Sequence, residues 1–169
     1  MRLNLFLAIG CAATFVLSLL AGKVWVPPAD WFSGDLGSII MVELRLPRAI
    51  LGLAIGGALG LSGAVMQGYL RNPLADPGLF GVSSSAALGA VCSLFFGYAA
   101  SAWLLPLFAL AGAAGGIMLL ALLAGRSASL ILFTLAGMIL ANLTASLTAL
   151  MISLAPTPFA ASEIMTWLM

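Results

Sequence analysis

Apolar residues run along this chain in long blocks separated by short polar breaks, without the alternation that marks half-buried strands. Five blocks stand out: Leu3 to Ala21 (interrupted only by Asn4), Pro47 to Tyr69, Leu79 to Ala99, Trp103 to Ala124 and Ser129 to Leu154. Each holds about twenty residues or more, enough for a helix to cross roughly 30 Å of hydrocarbon. A helix satisfies its own backbone hydrogen bonds, which lipid cannot do. A transmembrane barrel would instead show shorter segments of alternating polarity, and none occurs. The pattern predicts an all-α, polytopic transmembrane helical bundle of about five spans, with residues 1–169 forming a single transmembrane domain.

The breaks carry the polar chemistry. The longest, Lys23 to Arg48, holds Asp30, Asp35, Glu43, Arg45, Arg48 and the pair Pro27-Pro28, and reads as a loop with room for a short interfacial helix. Trp25 and Trp31 suit the headgroup belt. Pro47 fits the first turn of the second span, where its missing N–H has no helical partner anyway. Between the second and third spans, Arg71 to Gly78 contains two prolines and a glycine. A proline after Asn72 and another after Asp76 push those residues out of helical geometry, which predicts a rigid polar hairpin. Gly125-Arg126-Ser127 separates the fourth and fifth spans, and Ala155-Pro156-Thr157-Pro158 precedes a short amphipathic tail. Arg2 before the first block would also suit a signal peptide. The block exceeds the roughly 7–15 residues of such a segment, which favours a retained helix.

Composition agrees with a membrane location. Hydrophobic residues make up 63% of the chain and charged residues 7%, against about 25% charge in soluble domains. A net charge of +1 provides no basic face for nucleic acid. With no histidine and five acidic residues, no metal centre is expected, and neither a cofactor nor a catalytic nucleophile with its base stands out. Cys11 and Cys92 lie inside apolar blocks without partner spacing and read as buried small hydrophobes. No phosphate-binding loop occurs, so the chain is not itself an ATPase. Lys and Arg divide three against three between the two sides (Arg2, Arg71 and Arg126; Lys23, Arg45 and Arg48), so charge bias leaves the orientation open.

Within the spans, Gly52, Gly56, Gly60, Ala64 and Gly68 recur every fourth residue. Such a stripe lets a neighbouring backbone approach closely; it serves either central helix packing or the wall of a pathway, to which Gln67 would add a polar amide. Gly112 and Gly116 repeat the theme in the fourth span. In the fifth, Thr144 and Thr148 can bond back to their own helix, whereas Asn142 reads as interhelical glue or as a pathway residue. Of Asp, Glu, Lys and Arg, only Arg48 at the very start of the second span falls within a span, which disfavours a proton-coupled secondary transporter; a helix-packing module without transport is the other alternative.

The run Leu44-Arg45-Leu46-Pro47-Arg48, the glycine-rich helix ending Ser62-Gly63-Ala64-Val65-Met66-Gln67, then Arg71-Asn72-Pro73-Leu74-Ala75-Asp76-Pro77 and Gly81-Val82-Ser83 resemble, in order and spacing, the permease subunits of iron-siderophore, haem and cobalamin ABC importers. Leu135-Ala136-Gly137 and Trp167-Leu168-Met169 fit as well. The resemblance implies a ten-helix subunit of the bacterial inner membrane, with a cytoplasmic amino terminus, of which this chain is the amino-terminal half. It further implies alternating access in a homodimer with two ATPase subunits, and a periplasmic binding protein that delivers the substrate. Iron chelates would be the commonest cargo, with haem and cobalamin behind. By the same resemblance Arg45 and Arg48 dock the delivery protein, although pairing with Glu43 or with lipid phosphate would also suit them. Asn72, Pro73, Asp76 and Pro77 would form a cytoplasmic loop, and Ser127 and Ser129 are the nearest counterparts of a cytoplasmic gate.

Overall fold

The computed structural model describes residues 2–34, 36–98, 101, 103–125 and 129–169, and among these it is helical without strands. Helix α1 covers Arg2–Leu20. The short α2 (Leu36–Ile39) runs through a π-helical stretch, Ile40–Arg45, into α3 (Leu46–Leu70). Then come α4 (Val82–Phe95), α5 (Leu104–Ala124), α6 (Leu130–Ser153) and α7 (Pro158–Leu168). Among the described residues four helical stretches are long and apolar enough to cross a membrane: Arg2–Leu20, Leu36–Leu70, Leu104–Ala124 and Leu130–Ser153.

Two elements differ from the hydropathy reading. The second span begins well before Pro47, because half of the polar interval is helical and continuous with α3. Burial drives this: Met41 is 2% exposed and packs with Leu19 and Ala49, drawing the segment into a helix. Pro47 therefore sits inside a helix, where its ring would clash with the carbonyl four residues back. The π turn just before it relieves the conflict, since the Leu46 N–H reaches back five residues to the Met41 carbonyl and widens the helix there.

The third span is shorter than its apolar block. Pro77–Phe80 form a 3-10 turn, Gly81 takes a left-handed conformation at φ 75°, and Gly97 at φ 78° follows the other end. Between them α4 has 14 residues, about 21 Å of helix, less than the roughly 30 Å of a bilayer core. It is nevertheless the most enclosed helix: Ala90, Val91 and Ser93 are fully buried.

The chain divides into two compact units, Met1–Ala64 and Val65–Met169, with the division falling within α3. The first closes around Leu19, Met41 and Ala49, flanked by Phe15, Trp31 and Leu46. In the second, α4 makes its most extensive contact with α5 and packs also on α6 and α7. One cluster joins Phe80, Leu120, Ala136 and Leu140; another joins Val91 and Leu94 to Ile164 of α7. The tail is thus a docked helix, with Thr157 as its N-cap accepting from the Ala160 N–H at 3.1 Å.

Glycines set the closest approaches in the second unit. A Cβ on Gly89 would strike the Phe108 carbonyl oxygen, and one on Gly112 would strike that of Ser85. A Cβ on Gly116 would lie 2.7 Å from Ser85 Cβ, and one on Gly137 3.0 Å from Phe80 Cα. Ser85 and Gly89 of α4, with the Gly81 carbonyl just before the helix, therefore meet Gly112 and Gly116 of α5, while Gly81 itself abuts Leu140 and Ala141 of α6.

Candidate functional site

The first unit carries the basic end of α3. Arg45 closes the π-helical stretch, and its guanidinium reaches back to the end of α1. Nη1 donates to the carbonyls of Leu19 at 2.9 Å and Leu20 at 3.4 Å, and Nη2 donates to Val24 O. The end of a helix leaves its last carbonyls without donors and carries partial negative charge, so a guanidinium there is favourable on both counts. Arg48, one turn further, is exposed and makes no hydrogen bond or ion pair with a described residue. Glu43 is also exposed and is ion-paired to neither arginine.

Below Arg48 a groove of about 870 Å³ opens between α1 and α3. Thr14, Phe15 and Ser18 form one wall, and Gly52, Gly56, Gly57 and Gly60 form the other. Nothing lies within 4 Å of a Cβ built at Gly52, Gly56, Gly60 or Gly68, and Ala64 is exposed. Cys11 lies exposed on this groove, contrary to the buried position its apolar context suggested, and Cys92 is half-buried; both are free thiols.

The connection after α3 is a chain of local hydrogen bonds. Arg71 adopts φ 50°, and the Asn72 N–H returns to the Gln67 carbonyl at 3.2 Å, closing the helix with a left-handed cap. Asn72 Oδ1 accepts from the Leu74 N–H at 2.9 Å and Asp76 Oδ1 from the Gly78 N–H at 2.6 Å. Each side chain substitutes for a backbone turn while Pro73 and Pro77 restrict φ. Gln67, nearby on α3, is exposed.

On α6, Asn142 is exposed, and its Nδ2 donates to the Met138 carbonyl at 2.9 Å, so the amide finds an acceptor in its own helix rather than across the bundle. Thr144 makes the interhelical link instead, at 2.9 Å from Ser84 Oγ, while also reaching the Leu140 carbonyl at 2.8 Å. Ser129 caps α6, accepting from the Leu132 N–H at 3.2 Å. Ser127 lies outside the described residues.

Sequence reasoning missed Gly89 and the Ser84–Thr144 pair. The signal was present: Gly81, Ser85 and Gly89 are spaced by four, as are Gly112 and Gly116. No metal-binding cluster of His, Cys, Asp or Glu occurs among the described residues.

The FecCD transport family matches residues 10–169, nearly the whole chain. The chain belongs to the FecCD transport family. This is the family expected from residues 44 to 83. Its curated relatives include the vitamin B12 import system permease protein BtuC of Salmonella paratyphi A, 40% identical over 155 residues that cover 91% of this chain and 47% of the relative. BtuC of Citrobacter koseri is 39% identical, again over 91% of this chain and 46% of the relative. Among solved structures, a chain described as an inward-facing metal-chelate type ABC transporter superposes with a TM-score of 0.79 at 32% identity, covering 99% of this chain and 51% of that one. The helical permease fold is therefore shared, and the chain spans about half the length of the curated relatives it matches. Those relatives are transport components rather than enzymes.

Proposed function

We propose that this chain serves in the membrane-spanning permease of an ATP-driven importer that carries a cobalamin-type corrinoid or an iron chelate across the bacterial inner membrane by alternating access. The observation that carries the proposal is membership of the FecCD family over residues 10–169. The 40% identity to permeases named for vitamin B12 favours a corrinoid over a siderophore or haem.

The amino terminus is cytoplasmic, which puts the basic end of α3 on the outer face and the Asn72–Pro77 turn, with Ser129, on the cytoplasmic side. Arg45 and Arg48 form the region that meets acidic residues of a periplasmic delivery protein; a guanidinium binds carboxylate in two-point fashion. The open glycine stripe of α3 receives another helix of the assembled permease, and Gln67 and Asn142 lie along the pathway. Two ATPase subunits and a second permease copy complete the importer. Alternating access needs helices that change neighbours, and a face of glycines lets one backbone slide close to another.

The test is ATP-dependent uptake in proteoliposomes containing the full reading frame with ATPase and delivery protein. Labelled cyanocobalamin, a ferric siderophore and haem are compared, each with and without Arg48→Glu. Saturable, ATP-dependent cobalamin uptake that Arg48→Glu lowers at least tenfold is the expected result. Uptake of a siderophore or haem alone would overturn the corrinoid preference, and no ATP-dependent uptake of any cargo would overturn the importer reading.

A further inference from the structure

We infer that the Ser93 end of α4 swings between two positions against α5, and that the Ser93 hydroxyl is bonded to α5 only in the position not seen here. This deepens the importer reading above and rests on it for the driving force, which is ATP binding by the partner subunits.

The polar side chains buried among the described residues are Ser85, Ser93 and Thr144. Ser85 and Thr144 each donate to the carbonyl four residues back, Gly81 at 2.7 Å and Leu140 at 2.8 Å. Ser93 is 0% exposed, and its Oγ has no partner. A buried hydroxyl left unpaired is destabilising, so its presence calls for a physical reason. The register of the seam shows what lies beside it. A Cβ on Gly116 would meet Ser85, and one on Gly89 would meet Gly112 and Phe108, so α4 and α5 are antiparallel with their steps of four matched. The next step places Ser93 beside the turn from Leu104 to Phe108. In this register the Phe108 carbonyl faces Gly89. The Leu104 carbonyl, one turn earlier, stands in the equivalent place at Ser93, and its helical bond leaves it a second lone pair.

The two ends of α4 are held differently. At the first, a Cβ on Gly81 would lie 2.7 Å from the Ala141 nitrogen of α6, and Ser84 meets Thr144 at 2.9 Å. Gly89 then abuts the α5 backbone, which fixes the helix up to that point. At the other end Phe96 is exposed, and Gly97, at φ 78°, has nothing within 4 Å of a built Cβ. The contacts near this end are apolar. The Tyr98 and Phe108 rings lie 5.8 Å apart, and Val91 and Leu94 pack with Leu105 of α5 and Ile164 of α7. Such contacts are non-directional and survive a small shift, whereas a hydrogen bond is made or lost within a few tenths of an ångström. A swing of about 1–2 Å, the usual scale of helix shifts at interfaces, brings the Ser93 hydroxyl onto the Leu104 carbonyl. Helix α7, held through Ile164, moves with α4.

The test uses the full reading frame assembled with its ATPase in nanodiscs, as wild type, Ser93→Ala and Ser85→Ala. Hydrogen exchange is followed at the Phe96 and Gly97 N–H groups, which bond the Cys92 and Leu94 carbonyls. Each protein is compared without nucleotide and with a non-hydrolysable ATP analogue. Without nucleotide, Ser93→Ala should slow exchange about fivefold, because it removes the unpaired hydroxyl. With the analogue it should speed exchange about fivefold, because it removes the bond to Leu104. Ser85→Ala, which loses a bond within its own helix, should act in the same direction in both states. With the delivery protein added, ATP-dependent uptake of labelled cyanocobalamin should fall at least fivefold in Ser93→Ala. An effect of Ser93→Ala with the same sign in both states, or none without nucleotide, would overturn the swing. Wild-type exchange that ignores the nucleotide would overturn it too. Normal wild-type uptake without the sign reversal would overturn the swing and leave the importer reading standing. The reversal without ATP-dependent uptake of any cargo would do the opposite.

Discussion

Replacing Gly89 with alanine puts a methyl group where the Phe108 carbonyl already lies. The new Cβ would collide with the carbonyl oxygen, lie 2.9 Å from its carbon and 3.2 Å from Gly112 Cα. Ordinary carbon contacts are about 3.5–4.0 Å, and the obstructing atoms are backbone, so α4 and α5 must separate by roughly 0.5–1 Å. Such a gap forfeits about a quarter to a half of each dispersion contact along the interface, and overpacking of this kind costs about 1–3 kcal/mol. Alanine returns about 1 kcal/mol of helix propensity. Because the obstructing atoms are backbone, the cost lies toward the upper end, about 2–3 kcal/mol, and the expected net is destabilisation by about 1–2 kcal/mol. Gly56→Ala is the matched control, because nothing lies within 4 Å of a Cβ there; only the propensity gain of up to about 1 kcal/mol remains. The same substitution should therefore have opposite signs at the two positions. Unfolding of the chain in mixed micelles with rising SDS, followed by far-UV circular dichroism, measures both. A Gly89→Ala variant as stable as wild type, or a Gly56→Ala variant equally damaged, would refute the packing argument.

Three further outcomes follow from the same structure and can be read in the same unfolding assay. Ser93 is fully buried, and its Oγ has no hydrogen-bond partner among the described residues; Ser93→Ala should raise stability by about 1 kcal/mol, since it removes an unsatisfied hydroxyl with little change in volume. A double-mutant cycle on Ser84→Ala and Thr144→Val should give a coupling of about 0.6 kcal/mol, and no coupling would mean that the 2.9 Å contact contributes nothing. Asp76→Ala should destabilise by about 1 kcal/mol through loss of the bond to the Gly78 N–H, whereas Asp76→Asn, which retains the acceptor, should recover most of it.

How far each element was legible depended on whether its cause was local. The hairpin from Arg71 to Gly78 could be read in advance because prolines and Asx side chains act on their immediate neighbours, and the observed bonds of Asn72 and Asp76 span two residues. The start of the second span could not. Its polar residues argued for a loop, and the burial of Met41 against Leu19, which is distant in sequence, made it helix. The α4 helix falls between these cases. Its apolar block was plain, but Gly81 and Gly97 cut it short through backbone conformations that hydropathy does not register. Asn142 shows the converse: its amide suggested a distant partner, and its own helix supplied one at Met138.

The sequence by itself determined that this is a helical membrane protein, roughly where its helices run, and which transport family it belongs to. Those properties follow from the composition of contiguous stretches and from a specific block of residues, 44 to 83, whose order needs no folding to be read. Tertiary structure alone decided which glycines are contacts and which are open. Gly56 and Gly89 look alike in the sequence, yet one faces a groove and the other abuts a carbonyl. It also separated Arg45 from Arg48, two like charges three residues apart, by giving the first the carbonyls at the end of α1 and leaving the second free. The physical reason is the same in both cases. A glycine or an arginine has no role until another backbone is beside it, and the position of that backbone depends on residues far away in the chain.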